Sequence, residues 1–281
     1  MPQGLIDRLP TEREIERLRL ILSTYQDGTG TKVKGISHTV PGWRDFERAV
    51  ALAFGGEAQE SKAIFDVLLP SENAPDTRYG LSCKMRRELN KIGRTGRVSL
   101  ELSNSAGQFW SYLRARGIDQ HNYRDRPLDV GVSLIEVVES WHHAVSLERG
   151  GNVDLSRSSY LVLSWNPARH YQLHQFPLTM PNPSHLHWYF PSNKRNESGR
   201  RIAGDDKTGT LFEWYGESGG QLKYYPLATN AIWASEIFRL EPLGDMEYGI
   251  LNKAASYFPE KWAAASSSGE NFTHYKQSDS F

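Results

Sequence analysis

The order of helix-like and strand-like segments is the feature that most constrains the fold of this chain. An amphipathic pattern at residues 43–54, ended by Gly55-Gly56, predicts a helix. Strand-like segments follow at 63–69, 79–85 and 97–102, then a helix at 105–116 and strands at 159–165 and 170–176. The order helix, three strands, helix, strand predicts an α/β fold with a mixed central sheet.

Further segments flank this predicted core. The remaining predicted elements are helices at 11–25, 132–147 and 228–238 and strands at 186–190, 210–215 and 221–225. We therefore expect an N-terminal helix and linker at 1–40, a core at 41–180, a β-rich extension of the same domain at 181–262, and a loosely ordered tail at 263–281.

Composition excludes several classes of protein. The chain has 33 Lys+Arg and 33 Asp+Glu with 11% aromatic residues, which excludes a disordered chain and a histone-like basic protein. The single cysteine, Cys83, excludes an intrachain disulfide. No secretory signal and no long apolar run is evident, so we expect a soluble intracellular protein without a membrane partner.

A lone carboxylate interrupts the apolar segment at 63–69, and a lysine lies in the middle of the next strand. Asp66 needs a partner, because an unpaired ionised carboxylate in an apolar run is costly. Side chains alternate along a strand, so Ser82 and Lys84 share one face and Cys83 takes the other. If the two segments form a hairpin, Asp66 and Lys84 can meet.

Two further acids are candidates for the same sheet edge. Glu47 follows Trp43 by four residues and so lies close to the buried face of its helix. Glu101 faces away from the apolar row of its strand. Carboxylates beside a lysine suit Mg²⁺-dependent phosphodiester hydrolysis, in which the metal takes oxygen ligands and lowers the pKa of a bound water. Lys84 would orient that water, and the carbonyl of Cys83 could supply another metal ligand.

These residues resemble the PD-(D/E)xK nucleases, particularly type II restriction endonucleases, over about residues 40–115 and more weakly to about 176. That family has a helix, a three-stranded meander, a helix and a strand, with Glu on the first helix, Asp on the first strand and (D/E)-x-Lys on the second. Glu47, Asp66 and Lys84 match these positions. The resemblance implies a restriction-endonuclease-like core with Asp66, Lys84, Glu47 and Glu101 as catalytic residues.

The same resemblance implies a cofactor, partners and a location. The cofactor would be Mg²⁺, with Mn²⁺ able to substitute, and the implied metal ligands are Asp66, Cys83, Glu101 and Glu47. The expected protein is a cytoplasmic prokaryotic homodimer that hydrolyses double-stranded DNA at specific sites, without a nucleotide cofactor. The β-rich extension could contribute to DNA recognition.

The sequence departs from the family pattern at two positions. Phe65 replaces the Pro before the Asp, and Ser82 replaces the acidic residue of the motif. Some restriction enzymes that cut CCGG-containing sites also have Ser-x-Lys, with an acid from elsewhere. Glu101 is the preferred replacement here and Glu88 the second. Asp76, in a predicted loop, ranks below Asp66 as the metal-binding Asp.

Basic and small polar residues near the motif, and a later basic stretch, are candidate DNA contacts, since Arg and Lys bind phosphates and Arg also binds guanine edges. They are Ser82, Arg86, Arg87, Lys91, Arg94, Arg97, Ser103, Asn104, Ser105, Lys194, Arg195, Arg200 and Arg201. Their structural alternatives are a solvated loop for the basic residues and a helix cap for the residues at 103–105.

Two other functions stay open. The first is a DNA-binding protein of the same fold without catalysis, for which Ser82 is the main support. The second is an unrelated α/β protein without DNA affinity. Asp66 and Lys84 then form an ordinary strand ion pair or edge charge. His142 and His143 are interpreted as structural, because neighbours on a helix point about 100° apart and cannot easily share a metal.

Overall fold

The computed structural model describes residues 8–59, 64–103, 105–192, 201–244 and 247–266. Its helices are α1 Glu12–Ser23, α2 Trp43–Phe54, α3 Leu89–Thr95, α4 Ala106–Ala115, α5 Pro127–His143, α6 Glu247–Tyr257 and α7 Pro259–Ser266. Its strands are β1 Glu57–Ala58, β2 Val67–Pro70, β3 Arg78–Arg86, β4 Leu100–Ser103, β5 Ser159–Trp165, β6 His170–Pro177, β7 His187–Tyr189, β8 Ile202–Asp206, β9 Gly209–Tyr215, β10 Gln221–Tyr224, β11 Trp233–Ala234 and β12 Phe238–Arg239. No helix within these ranges has the length and apolar character needed to cross a membrane.

The first sheet is mixed and has seven strands. Its order is β1-β2-β3-β5-β6-β11, and β12 also pairs with β6. Strands β1, β2 and β3 are antiparallel, β3 is parallel to β5, and β5 is antiparallel to β6. Every residue of β5 is buried, which is typical of a strand covered on both faces. The α/β class with a mixed sheet is therefore confirmed.

The second sheet is antiparallel, with the order β4-β10-β9-β8-β7. The sequence analysis placed the strand at 97–102 third in a meander with 63–69 and 79–85, and this prediction is wrong. Strand β4 pairs with β10, and β1 takes part in the antiparallel unit with β2 and β3. The short helix α3, ended by Gly96 in the left-handed conformation (φ 67°), separates β3 from β4 along the chain.

Two apolar clusters cover the two faces of the first sheet. Helices α1 and α2 pack on one face, where Leu22 and Phe46 meet Leu81. Helices α4 and α5 and the second sheet pack on the other, where Leu134 and Phe212 lie in one cluster with Tyr160 and Val162 of β5. The resulting order is helices, mixed sheet, then helices with the second sheet, so that β3 lies between two buried layers.

Several predicted boundaries change in the structure. The helix predicted at 132–147 is α5, which begins earlier because Pro127 occupies its first turn. The helix predicted at 228–238 is wrong: a short 3₁₀ turn, Ala228–Asn230, precedes β11 and β12 at the edge of the first sheet. Strand β8 begins directly after Arg201, α3 contains Lys91 and Arg94, and α7 reaches residue 266 of the expected tail.

Candidate active site

The site forms where β3 extends beyond the start of β2. The last β2–β3 pair in this direction is Val67 with Leu81, and the Asp66 N–H donates to the Leu81 carbonyl at 2.9 Å. Two residues further along β3, the Cys83 N–H donates instead to Asp66 Oδ2 at 2.7 Å. A carboxylate thus takes the place of a neighbouring strand at this edge, which we call the open edge of β3.

Lys84 reaches the same carboxylate. Its Nζ donates to Asp66 Oδ2 at 3.0 Å, to Ser82 Oγ at 2.8 Å and to the Cys83 carbonyl at 3.1 Å. These contacts match the three donors of an ammonium group, so its position is well defined. Asp66 and Lys84 therefore converge, as the hairpin hypothesis required, although Asp66 directly precedes β2 and does not lie inside it.

The residue before Asp66 anchors it in the core. Phe65 is 2% exposed, and its ring lies so close to Gly80 that a Cβ there would be 2.3 Å from it. Phe65 also stacks on His142 of α5, with 5.5 Å between ring centroids. Gly80 of β3 thus admits the ring that fixes the backbone beside Asp66. A glycine inside a strand pattern is a sequence signal for such a close approach.

Glu47 of α2 provides a second carboxylate near Asp66. Burial, followed by the negative charge of Asp66, raises the pKa of Glu47 to about 7, against the opposing effects of Lys84 and nearby arginines. No hydrogen bond from the described part of the chain reaches this half-buried carboxylate. Two acids within electrostatic reach of each other would repel when ionised, and a bound cation would remove that repulsion.

The donors at the open edge fit a magnesium ion. Asp66 Oδ1 accepts no hydrogen bond from the described residues, Glu47 is nearby, and the Cys83 carbonyl is a further oxygen. Among the described residues, no group of three or more His, Cys, Asp or Glu side chains could hold a metal by itself. Mg²⁺ commonly uses only one or two carboxylates and completes its shell with water and substrate phosphate.

The structure does not bring Glu101 to Asp66. The Glu101 carboxylate accepts a hydrogen bond from Arg86, and β4 belongs to the second sheet. Glu88 precedes α3 and pairs with Lys91 at 3.7 Å. Asp76 lies in the β2–β3 loop, beyond the other end of β3. In the described chain, neither preferred replacement for the acid missing at Ser82 lies at the open edge, and Glu47 is the acid whose pKa the charge of Asp66 raises.

Several candidate DNA contacts have structural partners. Arg97 donates to the Tyr225 carbonyl at 2.6 Å and to the Thr208 carbonyl at 2.8 Å, which ties α3 to the second sheet. Arg201 pairs with Glu213 at 2.8 Å. Ring contacts hold the next two: Arg87 lies 5.4 Å from the centroid of Trp165, and Lys91 lies 5.4 Å from that of Tyr225.

The remaining candidate DNA contacts are either exposed, held in local hydrogen bonds, or outside the residues that the structure describes. Arg94 is exposed on α3, and Ser103 Oγ accepts a hydrogen bond from the Ser105 N–H at 3.2 Å just before α4. Ser82 belongs to the hydrogen-bond network of Lys84. The other four candidates, Asn104, Lys194, Arg195 and Arg200, lie outside the described residues.

His142, which the sequence analysis interpreted as structural, is buried behind the site, and this position was not predicted. It packs between Phe65 and Tyr160, at 5.5 Å and 6.0 Å between ring centroids. Burial, followed by the positive charges of His143 and Lys84, lowers the pKa of His142 to about 4. The ring is therefore neutral near pH 7. The sequence carries no signal for this position, because the fold alone brings α5 against Phe65.

Comparison of the chain with protein-family models, with curated proteins and with solved structures found no match. The function is therefore inferred from the residues at the open edge and their geometry.

Proposed function

We propose that this protein is a Mg²⁺-dependent, site-specific endonuclease that hydrolyses double-stranded DNA in the manner of type II restriction enzymes. The observation that carries this proposal is the 3.0 Å contact between Lys84 Nζ and Asp66 Oδ2 at the open edge of β3. There the Cys83 N–H donates to the Asp66 side chain and not to a neighbouring strand, and Glu47 adds a second carboxylate.

The topology supports the resemblance to PD-(D/E)xK nucleases with one shift of elements. Helix α2, the antiparallel unit β1-β2-β3, helices α4 and α5 and strand β5 follow the order helix, meander, helices, strand, with α3 and β4 inserted after the meander. Strand β5 lies parallel beside β3, which carries Lys84. The Lys thus lies on the third strand of the antiparallel unit, whereas the sequence analysis placed it on the second.

Each residue at the open edge has a role in this proposal. Asp66, Glu47 and the Cys83 carbonyl would hold Mg²⁺, which supplies a polarised phosphate and a more acidic water. Lys84, fixed by its three acceptors, would orient the attacking water and offset negative charge on the phosphorus. Ser82 contributes the hydroxyl that holds Lys84, and Glu47, at the position of the family's helix Glu, supplies the second carboxylate.

Cleavage of both strands requires two active sites, so the proposal includes a homodimer. Sedimentation of the purified chain at concentrations used for cleavage tests this part separately. A dimer is expected in the presence of duplex DNA, and a monomer that still cuts both strands together would contradict it.

The experiment that tests the function is digestion of phage and plasmid DNA with Mg²⁺, Mn²⁺, Ca²⁺ or a chelator. We expect discrete fragments with 5′-phosphate ends in Mg²⁺ or Mn²⁺ and intact DNA with the chelator. Glu47→Gln should lower the cleavage rate by about 10²-fold or more, the size of effect found for acid–base or electrostatic groups. Glu101→Gln, the matched control, should retain cleavage within about 10-fold by the same measure.

The open alternatives give different results in the same preparation. DNA binding without cleavage in any divalent ion would support the inactive DNA-binding protein, which the serine at position 82 favours. Absence of binding in a gel shift at low salt would support an α/β protein without DNA affinity, because phosphate contacts make nucleic-acid binding strongest at low salt.

A further inference from the structure

A second polar site lies beside the hairpin that joins β5 to β6. Two arginines, Arg169 in the hairpin and Arg239 in β12, line a pocket of about 280 Å³ together with His38. The apolar wall of this pocket includes Leu240 and Pro242. The pocket thus combines two guanidinium groups with a partly apolar lining.

The backbone at Arg169 is in the left-handed conformation. Its φ is 61°, and it is the only non-glycine residue with positive φ among the residues that the structure describes. Its N–H donates to the Asn166 carbonyl at 2.9 Å, which closes the hairpin. Glycine would adopt this conformation without steric cost. The side chain makes no hydrogen bond or ion pair with the described residues, so no contact there accounts for an arginine in this turn.

Arg239 is held in place by a partner that does not neutralise it. Its Nε donates to His170 Nε2 at 2.8 Å. A guanidinium can only donate, so this ring nitrogen carries no proton. The acid close to it in sequence, Glu241, pairs with Arg19 at 2.8 Å. The pocket therefore has two positive groups that no described carboxylate compensates.

The pocket is separate from the open edge of β3. Lys84 lies opposite Val162 of β5, and His170 pairs with Asn166 at the hairpin, four residues further along and two strands across from β3. Strand geometry places these positions about 16 Å apart. The two sites can therefore be altered independently.

We propose that this pocket binds a phosphate-type anion. Two arginine forks match the oxygens of a phosphate, and both residues are exposed, so that an anion from solution can reach them. The anion would be either a backbone phosphate of bound nucleic acid or a free phosphate monoester. Binding of a phosphate-type anion does not depend on the proposed nuclease activity. A backbone phosphate as the source of the anion does rest on that proposed function.

Calorimetric titration with inorganic phosphate, against chloride at equal ionic strength, tests the pocket. Saturable binding is expected in the wild type. Arg169→Gly should weaken it about 10-fold or more, since hydrogen bonds to charged groups contribute on this scale. Because glycine suits the left-handed backbone, this variant should melt no lower than the wild type. Arg239→Gln should also weaken binding, whereas Arg17→Gln, an exposed control on α1, should not.

Absence of saturable phosphate binding in the wild type, or equal affinity in all four proteins, would overturn the proposal. Duplex DNA binding without divalent metal then separates the sources. If the anion is a DNA phosphate, Arg169→Gly lowers the salt-dependence slope by about 1 and inorganic phosphate competes with DNA. If it is a free monoester, Arg169→Gly binds DNA like Arg17→Gln but still loses phosphate. If the wild type cuts no DNA but binds phosphate, and Arg169→Gly loses that binding, the result contradicts the nuclease and supports the pocket.

Discussion

Two ion pairs lie two residues apart on β3 and differ in what surrounds them. Lys84 pairs with Asp66 at the open edge, and Arg86 pairs with Glu101 across to the second sheet. All four side chains are 21–30% exposed. Burial and charge are thus similar in the two pairs, so neither property distinguishes a candidate active site from a structural contact here.

The difference lies in the backbone and in the neighbouring acid. At the first pair, the Cys83 N–H and carbonyl bind the side chains of Asp66 and Lys84, and Glu47 lies close enough to feel the charge of Asp66. The second pair joins strands of two sheets, and each partner neutralises the charge of the other. An open strand edge with a second acid nearby is therefore the better indicator of chemistry in this protein.

The largest expected effect is the loss of cleavage when the first pair is broken. Lys84→Ala should lower the cleavage rate by about 10²–10⁴-fold, because it removes the group that orients and stabilises charge in the reaction. In chemical denaturation, the effect of Lys84→Ala on the free energy of unfolding should be much smaller than its effect on the free energy of activation for cleavage. Equal cleavage by wild type and Lys84→Ala would remove the distinction between the two pairs.

Acid should destabilise the packing behind the first pair through His142. The pKa of His142 is about 4 in the folded protein, below its ordinary value of about 6.5, so the unfolded state binds the additional proton between these values. Stability that is complete above about pH 6.5 is then lost as the pH falls towards 4, by roughly 3 kcal/mol at most.

Urea denaturation across this pH range checks the effect of His142. His142→Phe, which keeps a ring between Phe65 and Tyr160, should reduce the acid-dependent loss, and the exposed control His185→Asn should not. The same acid dependence in wild type and His142→Phe would show that this ring does not remain neutral in the folded protein.

Crowding the core at Gly80 should affect the first pair and leave the second in place. Gly80→Ala forces Phe65 to move, because the new Cβ would lie 2.3 Å from its ring. We expect a loss of about 1–3 kcal/mol in the free energy of unfolding, as for other overpacked cores, with lower cleavage because Asp66 follows Phe65. Unchanged stability and cleavage in Gly80→Ala would contradict this packing.

The smallest expected effect concerns the second pair. Arg86→Ala and Glu101→Ala, combined in a double-mutant cycle, should give a coupling free energy of about 0.5–2 kcal/mol, the range for contacting charged residues. Cleavage by Glu101→Ala should stay close to that of the wild type. A cleavage loss as large as that of Lys84→Ala would place Glu101 in the active site after all.

Local patterns predicted the elements that position the site, and non-local pairing limited the rest. The helix at 43–54 and the strand at 159–165 have the bounds that the sequence indicated, because their apolar patterns and stop signals are local. The meeting of Asp66 and Lys84 also followed from local spacing. The partner of β4 did not, since β10 is more than 100 residues away and nothing near 97–102 identifies it. The preference for Glu101 followed from that error.

The most direct test of the central claim is anomalous diffraction from crystals of the protein with Mn²⁺. The account predicts an ion in coordinating contact with Asp66 and with at least one of Glu47 and the Cys83 carbonyl, and loss of that ion in Asp66→Asn. A saturated crystal with no ion at the open edge of β3, or with the ion held by Glu101, would contradict it.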